Sequence, residues 1–190
     1  MTTIFFIADT HFGKKYNFLQ DYELGFSERN LDVIENCERI IKTAIEEKPD
    51  YVIFLGDVYE RQMISPTIRK IVRERIFIPL FENNIQVIIL GGNHDSPRNL
   101  QKGSDLLELS SFPNVKVITE PQPYIDDDIG FLFMPYLHFD VLVDIAQKTG
   151  IDIPEGKNNY VIAQRIIDNL VEKLHKTELQ NCEQNLLIGH

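Results

Sequence analysis

Three apolar runs, each breaking off into a polar string of aspartate, asparagine or histidine, constrain this chain more than any other feature. Ile4-Phe5-Phe6-Ile7 leads into Asp9-Thr10-His11, Tyr51-Val52-Ile53-Phe54-Leu55 into Gly56-Asp57, and Val87-Ile88-Ile89-Leu90 into Gly92-Asn93-His94-Asp95. Apolar runs of this length without alternation mark strands covered on both faces, as in a parallel sheet. The segments between them have helical periodicity. Residues 27–48 carry Leu31, Ile34, Cys37, Ile40, Ile41, Ala44 and Ile45 at spacings of three and four, and Pro49 stops them. A second helix starts at Ser65-Pro66, where proline suits the first turn. It buries Ile68, Ile71, Val72 and Ile76 and is expected to kink or end near Pro79. The alternation predicts right-handed βαβ units. In such sheets ligands bind beyond the carboxyl ends of the strands, so Asp9, His11, Asp57, Asn93 and His94 are expected on one rim.

Past the third string the pattern changes. A short helix is expected over 104–110, and strands over 115–119, 124–125 and 131–134, separated by Pro, Gly and Asp clusters, read as a meander forming a second sheet. A longer helix over 159–175 carries Ile162, Ile166, Leu170 and Leu174, and a strand over 186–188 precedes Gly189-His190. The expected fold is α/β, a two-sheet β-sandwich flanked by helices, in one domain over residues 1–190. That length suffices for a sizeable core.

Composition closes several other routes. No run approaches the roughly 20 apolar residues of a membrane span, and the start lacks the basic region of a signal peptide. Cys37 and Cys182 have no metal-type spacing and read as reduced thiols of a cytoplasmic protein. The formal net charge of −10 argues against a strongly basic nucleic-acid surface. Nucleic acid is not thereby excluded as substrate, because bound divalent cations offset charge locally. There is no phosphate-binding glycine loop, dinucleotide fingerprint or nucleophile elbow.

Carboxylate, amide oxygen and imidazole together suit manganese, iron or zinc, with no thiolate at hand. An aspartate shared by two cations about 3.5–4 Å apart is the usual device of two-metal hydrolases. Each string alone has a plain reading as a turn, a cap or a hydrogen-bonded loop. Their order, each after a strand, is what favours a metal site. Elsewhere the plain reading prevails: His138 as a loop residue, His175 as a helix end whose dipole favours a cation, and Arg69, Lys70, Arg73 and Arg75 as a solvated face. Lys14 and Lys15 remain candidates for phosphate contact.

The same strings resemble those of the calcineurin-like metallophosphoesterase superfamily, over nearly the whole chain. Asp9-Thr10-His11-Phe12-Gly13, Gly92-Asn93-His94-Asp95-Ser96 and the late Met134-Pro135-Tyr136 are similar to the SbcD-type double-strand-break repair nucleases. The resemblance implies a four-layer metallophosphoesterase-like fold and a DNA nuclease working with two divalent ions, Mn2+ first among them. It implies that Asp9 and His11 bind the first ion, that Asp57 bridges, and that Asn93 and His190 bind the second. His94 would contact the scissile phosphate and protonate the leaving oxygen, with Asp95 orienting His94. The implied partners are DNA and an SbcC-like ATPase with a coiled coil, and a homodimer is left open. Two departures stand out. Glu60 occupies a position where many members carry histidine, and the Gly-His-x-His string expected tens of residues past Leu-Ile-Gly-His has no counterpart before His190. The expectation is therefore a domain incomplete at its C-terminal end, with weak second-site metal binding and low turnover. The rival readings are a small-molecule phosphatase or phosphodiesterase of the same superfamily, and a scaffold that has lost catalysis.

Overall fold

The computed structural model describes residues 2–16, 20–21, 26–96, 104–153, 155–156 and 158–190. The chain divides into two compact units, Met1–Thr119 together with His190, and Glu120–Gly189.

In the first unit, β1 (Ile4–Ile7) is followed by a short antiparallel pair, β2 (Gln20–Asp21) and β3 (Phe26–Ser27), and then by α1 (Glu28–Glu47) and β4 (Tyr51–Phe54). Next come α2 (Pro66–Val72), a π turn (Arg73–Phe77), α3 (Ile78–Glu82) and β5 (Gln86–Leu90). A short α4 (Asp105–Glu108), continued by a 3-10 turn (Leu109–Ser111), leads to β6 (Val115–Ile118). The sheet has the order β1-β4-β5-β6 and is parallel throughout. β4 is buried at every position, which explains its unbroken apolar run.

The α1 helix begins where Ser27 accepts a hydrogen bond from Arg29 N and ends at Lys48, whose left-handed backbone (φ 50°) directs its N–H to Ala44 O. Capping of this kind satisfies backbone groups that the helix leaves unpaired. Its buried stripe of Ile34, Cys37, Ile41 and Ala44 packs in one cluster with Val52, Phe54, Val72, Phe77 and Leu80.

The second unit holds β7 (Gln122–Asp126), β8 (Ile129–Met134), α5 (Phe139–Thr149), α6 (Asn159–Leu174) with a π turn (His175–Leu179), and β9 (Gln184–Gly189). β7 and β8 form a hairpin and β9 joins β8 in parallel. Leu132, Leu142, Ala146, Ile166, Leu170 and Leu179 form its own core. The molecule is thus α/β, with two main sheets flanked by helices. No helix among the described residues is long and apolar enough to cross a membrane.

The structure alters four details of the sequence reading. Residues 115–118 belong to the first sheet, beside β5, and not to a meander with β7 and β8. Pro79 does not end its helix. The π turn before it lets Ile78 N–H reach back to Arg73 O, and a wider turn relieves the clash between the pyrrolidine ring and the carbonyl four residues earlier. Residues 139–149 form a helix, where the sequence reading places only a loop around His138. His175 does not close its helix, which runs on through the π turn to Leu179, and its Nε2 lies 3.4 Å from Asn185 Nδ2.

Candidate metal centre

The first two strand-end strings turn left-handed at the residues that carry the donors. Asp9 (φ 51°), His11 (φ 45°) and Asp57 (φ 48°) are left-handed although none is glycine. Each such residue costs on the order of 1–3 kcal/mol and persists only where its surroundings impose it. Here the surroundings are explicit. His11 N–H donates to Asp57 O at 2.9 Å, Phe12 N–H to Val58 O at 2.9 Å and Glu60 N–H to Phe12 O at 3.1 Å. The loops after β1 and β4 thereby continue the strand pairing past the sheet, with a parallel bridge at Phe12 and Tyr59. From α1, buried Asn30 accepts from Gly13 N–H at 3.1 Å and donates to Lys14 O at 3.0 Å, which fixes the far side of the first loop.

The glycines of the strings serve close approach. Gly56 has φ 102°, and a Cβ there would strike the His190 imidazole; a Cβ on Gly92 would strike the Asp57 backbone nitrogen and carboxylate.

Asp57 lies at the centre and is buried. Its Oδ1 accepts from His94 N–H at 2.9 Å. Its Oδ2 faces His11 Nε2 and His190 Nε2, each 3.6 Å away. His11 Nε2 is also 3.8 Å from Asp9 Oδ1. These separations are too long for hydrogen bonds. They suit ligands of a shared cation, since first-row divalent ions hold N and O donors at about 2.0–2.2 Å, leaving two such donors about 3–4 Å apart. His190 supplies the clearest sign. Its Nδ1 lies 2.7 Å from Leu55 O, and its Nε2 lies 3.0 Å from Asn93 Oδ1 and 3.6 Å from Asp57 Oδ2. In the neutral ring with its proton on Nδ1, Nε2 would turn a lone pair toward two acceptors, an arrangement that a bound cation relieves. Among the described residues the ion-pair partners of Asp57 are imidazoles, with no lysine or arginine to neutralise it. The donor set therefore fits divalent metal. Asp9, Asp57 and His190 form one group of convergent donors, and His11, Glu60 and His94 form another.

Asp95 departs from its expected role. It is fully buried, and its oxygens accept from Gly92 N–H at 2.8 Å and Tyr59 N–H at 3.2 Å. It ties the third loop to the second, and burial pushes its carboxyl above the usual range despite those donors. The His94 ring is held instead by Glu60: His94 Nδ1 lies 3.0 Å from Glu60 O and 4.0 Å from Glu60 Oε1. The His11 and His94 rings meet edge to face at 4.9 Å between centroids. Sequence reasoning marks Glu60 only as a departure and misses Asn30. An i, i+3 spacing from Asp57 is the sole signal for the first, and nothing in the string points to the second.

The basic residues are engaged elsewhere. Arg69 pairs with Asp105 (2.7 Å) and Glu108 (3.3 Å), Lys70 with Glu74 and Arg75 with Glu38, while the Arg73 guanidinium lies over the Phe112 ring. Lys14 and Lys15 are exposed beside the first loop. His138 meets Tyr136 edge to face, with ring centroids 5.1 Å apart.

Parallel strands ending in a cluster of carboxylate, amide and imidazole donors define the class as an α/β protein with a divalent-metal site. The calcineurin-like phosphoesterase family matches residues 2–184, and the chain belongs to it. The DNA double-strand break repair protein Mre11 of Sulfurisphaera tokodaii is 33% identical over 165 residues, covering 85% of this chain and 40% of that protein. Its counterpart in Methanocaldococcus jannaschii is 32% identical over 111 residues, covering 57% and 28%. The SbcD component of the nuclease SbcCD of Staphylococcus saprophyticus is 23% identical over 175 residues, covering 90% and 44%. This chain thus spans less than half the length of each of these relatives. A dimetal phosphatase from Danio rerio shares the fold, with a TM-score of 0.52 at 14% identity, covering 100% of this chain and 69% of that one.

Proposed function

We propose that this chain is a metal-dependent nuclease domain that hydrolyses phosphodiester bonds of DNA, in repair or recombination. The observation that carries the reading is Asp57 Oδ2, set 3.6 Å from the Nε2 atoms of two imidazoles that come from different strand ends. Likeness to Mre11 and SbcD supports DNA as the substrate. In this reading Asp9, His11 and Asp57 hold one divalent ion, and Asp57, Asn93 and His190 hold a second, with Mn2+ the favoured metal. When bound, the ions polarise the phosphate and lower the pKa of water.

The chain's own residues do the rest. Main-chain hydrogen bonds hold Asp57 so that one carboxylate oxygen stays clear for metal. His94 donates Nδ1–H to Glu60 O, which leaves Nε2 for the scissile phosphate, and in the doubly protonated ring Nε2–H would give its proton to the leaving oxygen and return to the neutral form. Asp95 keeps the loop that carries His94 and Asn93 in place. Residues 1–190 would act as one nuclease domain in the cytoplasm, with a coiled-coil ATPase resembling SbcC as partner and a second copy as a further one.

The test is metal counting joined to hydrolysis. The expected result is two Mn2+ per chain and slow cleavage of linear duplex DNA that Asp57→Asn and His94→Ala abolish. Cleavage of bis(p-nitrophenyl) phosphate without any cleavage of DNA would move the chain to the small-molecule phosphodiesterases. A chain that takes up no metal would overturn the reading in favour of a scaffold.

A further inference from the structure

Two buried atoms beside the metal centre make no hydrogen bond: His11 Nδ1 and Glu60 Oε2. They lie 3.0 Å apart. Buried polar atoms are satisfied as a rule, and a pair that is not calls for a partner such as an ion. A cation that holds each donor at about 2.0–2.1 Å sets a pair at this separation near a right angle, an ordinary ligand geometry. A third donor is at hand. The His94 ring meets the His11 ring edge to face, and its Nδ1 lies 4.0 Å from Glu60 Oε1. Donor atoms of His11, Glu60 and His94 all fall within 4.8 Å of one another. Unlike Asp9 and Asp57, which face His11 Nε2, this set uses the other nitrogen of the ring.

We propose that His11 Nδ1, Glu60 Oε2 and a ring nitrogen of His94 form an inhibitory Zn2+ site, and that filling it excludes the ion at His11 Nε2. Two imidazoles and one carboxylate are a zinc donor set that leaves a fourth position to water. Zn2+ also outranks Mn2+ at a given site of nitrogen and oxygen donors. Exclusion follows from the imidazole ring itself, which when neutral has one N–H and one lone pair. With the lone pair on Nδ1, Nε2 carries the proton and turns it toward Asp9 Oδ1 and Asp57 Oδ2, 3.8 and 3.6 Å away. Those carboxylates then face a proton donor in place of a metal ligand. The same ion ties up the His94 ring, which can no longer pass a proton to substrate. The exclusion rests on the proposed function; the zinc site does not, since it omits Asp57.

Asp57→Asn separates the two sites, because it removes the central carboxylate and leaves all three zinc donors. Co2+, a stand-in for Zn2+ with visible absorption, should bind the Asp57→Asn chain with the intense bands of four-coordinate ligation, and Zn2+ should bleach them. Adding Glu60→Gln, which preserves the shape of the side chain, should weaken Co2+ binding at least about 100-fold, beyond the 10–100-fold typical of residues that touch a ligand and not the metal. In the wild-type chain, Zn2+ should release bound Mn2+, read by electron paramagnetic resonance as the sharp signal of the aqueous ion, and Glu60→Gln should suppress that release. An Asp57→Asn chain that binds no Co2+, or binds it equally well with Glu60→Gln, overturns the zinc site and leaves His11 and Glu60 as an ion pair. Release of Mn2+ that Glu60→Gln does not alter means that Zn2+ takes the Mn2+ ligands directly, and overturns the exclusion. If the wild-type chain binds Zn2+ through Glu60 but takes up no Mn2+, the proposed metal centre fails and the zinc site stands.

Discussion

Gly92 and Asp57 separate shape from chemistry at the site. A methyl group on Gly92 would meet the Asp57 backbone, which cannot swing aside as a side chain could. Gly92→Ala is therefore expected to cost about 1–3 kcal/mol of stability through overpacking and to weaken Mn2+ binding at least tenfold, measured by urea melts and calorimetry. Asp57→Asn should abolish Mn2+ binding while leaving the fold intact, since its Oδ1 can still accept from His94 N–H. Cys37 offers a second test, away from the site. Burial pushes its thiol up to about 12, whereas an unfolded thiol ionises near about 8.5. The folded state thus keeps a proton that the unfolded state releases, and Cys37 lowers stability as pH rises from about 9 toward 12, by about 1.4 kcal/mol per unit. Stability measured at pH 8 and pH 10.5 should fall less in Cys37→Ala than in wild type. At this scale the sequence marked the candidate donors, because each follows an apolar run and the strand end dictates where it stands. It could not reveal which atom each donor faces. Asp95 beside His94 suggests a pair, yet adjacent residues in a tight turn point apart, and Asp95 turns inward to Gly92 and Tyr59.

Among the elements, α1 contributes most to the site without touching a donor. Asn30 sits on its buried face and clamps the Gly13-Lys14 turn through two hydrogen bonds. Asn30→Ala leaves Gly13 N–H and Lys14 O without their partner, which costs about 1–3 kcal/mol where such groups are buried. The expected outcome is a lower unfolding midpoint together with weaker Mn2+ binding, since Asp9 and His11 lie on the loop that this turn closes. Asn30→Asp retains the acceptor for Gly13 and should recover part of both. β1, α1, β4, α2 and β5 were legible because their periods are distinct. The β2–β3 pair carries no such signal, and two other elements misled. Val141, Val143 and Ile145 alternate with other residues in a way that mimics a strand, whereas the buried positions, Leu142 and Ala146, are four apart and helical. β6 has a pattern compatible with either sheet. Only pairing with β5 assigns it, and pairing is not written in a single strand.

For the whole molecule, under the proposed nuclease reading, the excess of acid decides how DNA would be held. Lys and Arg number 19 against 29 Asp and Glu, a formal charge of −10. Arg69, Lys70 and Arg75 are already committed to carboxylates. Two divalent ions at the site would leave the chain still negative, but they would reverse the sign of the potential where Asp9, Asp57 and Glu60 cluster. Affinity for duplex DNA should therefore depend on the metal and involve few phosphates. Each phosphate neutralised contributes roughly −0.9 to the slope of log K against log salt. With about two neutralised, raising salt from 50 to 200 mM weakens binding about tenfold, against the roughly 10³–10⁵ of a protein that grips six to ten. Fluorescence anisotropy with a labelled duplex should show no binding at 150 mM salt in EDTA. In Mn2+, with His94→Ala to suppress cleavage, it should show weak binding of shallow salt dependence. A loss of three decades or more between 50 and 200 mM would mean that this chain grips the duplex by its own basic residues, and the need for a partner to hold the DNA would fall away.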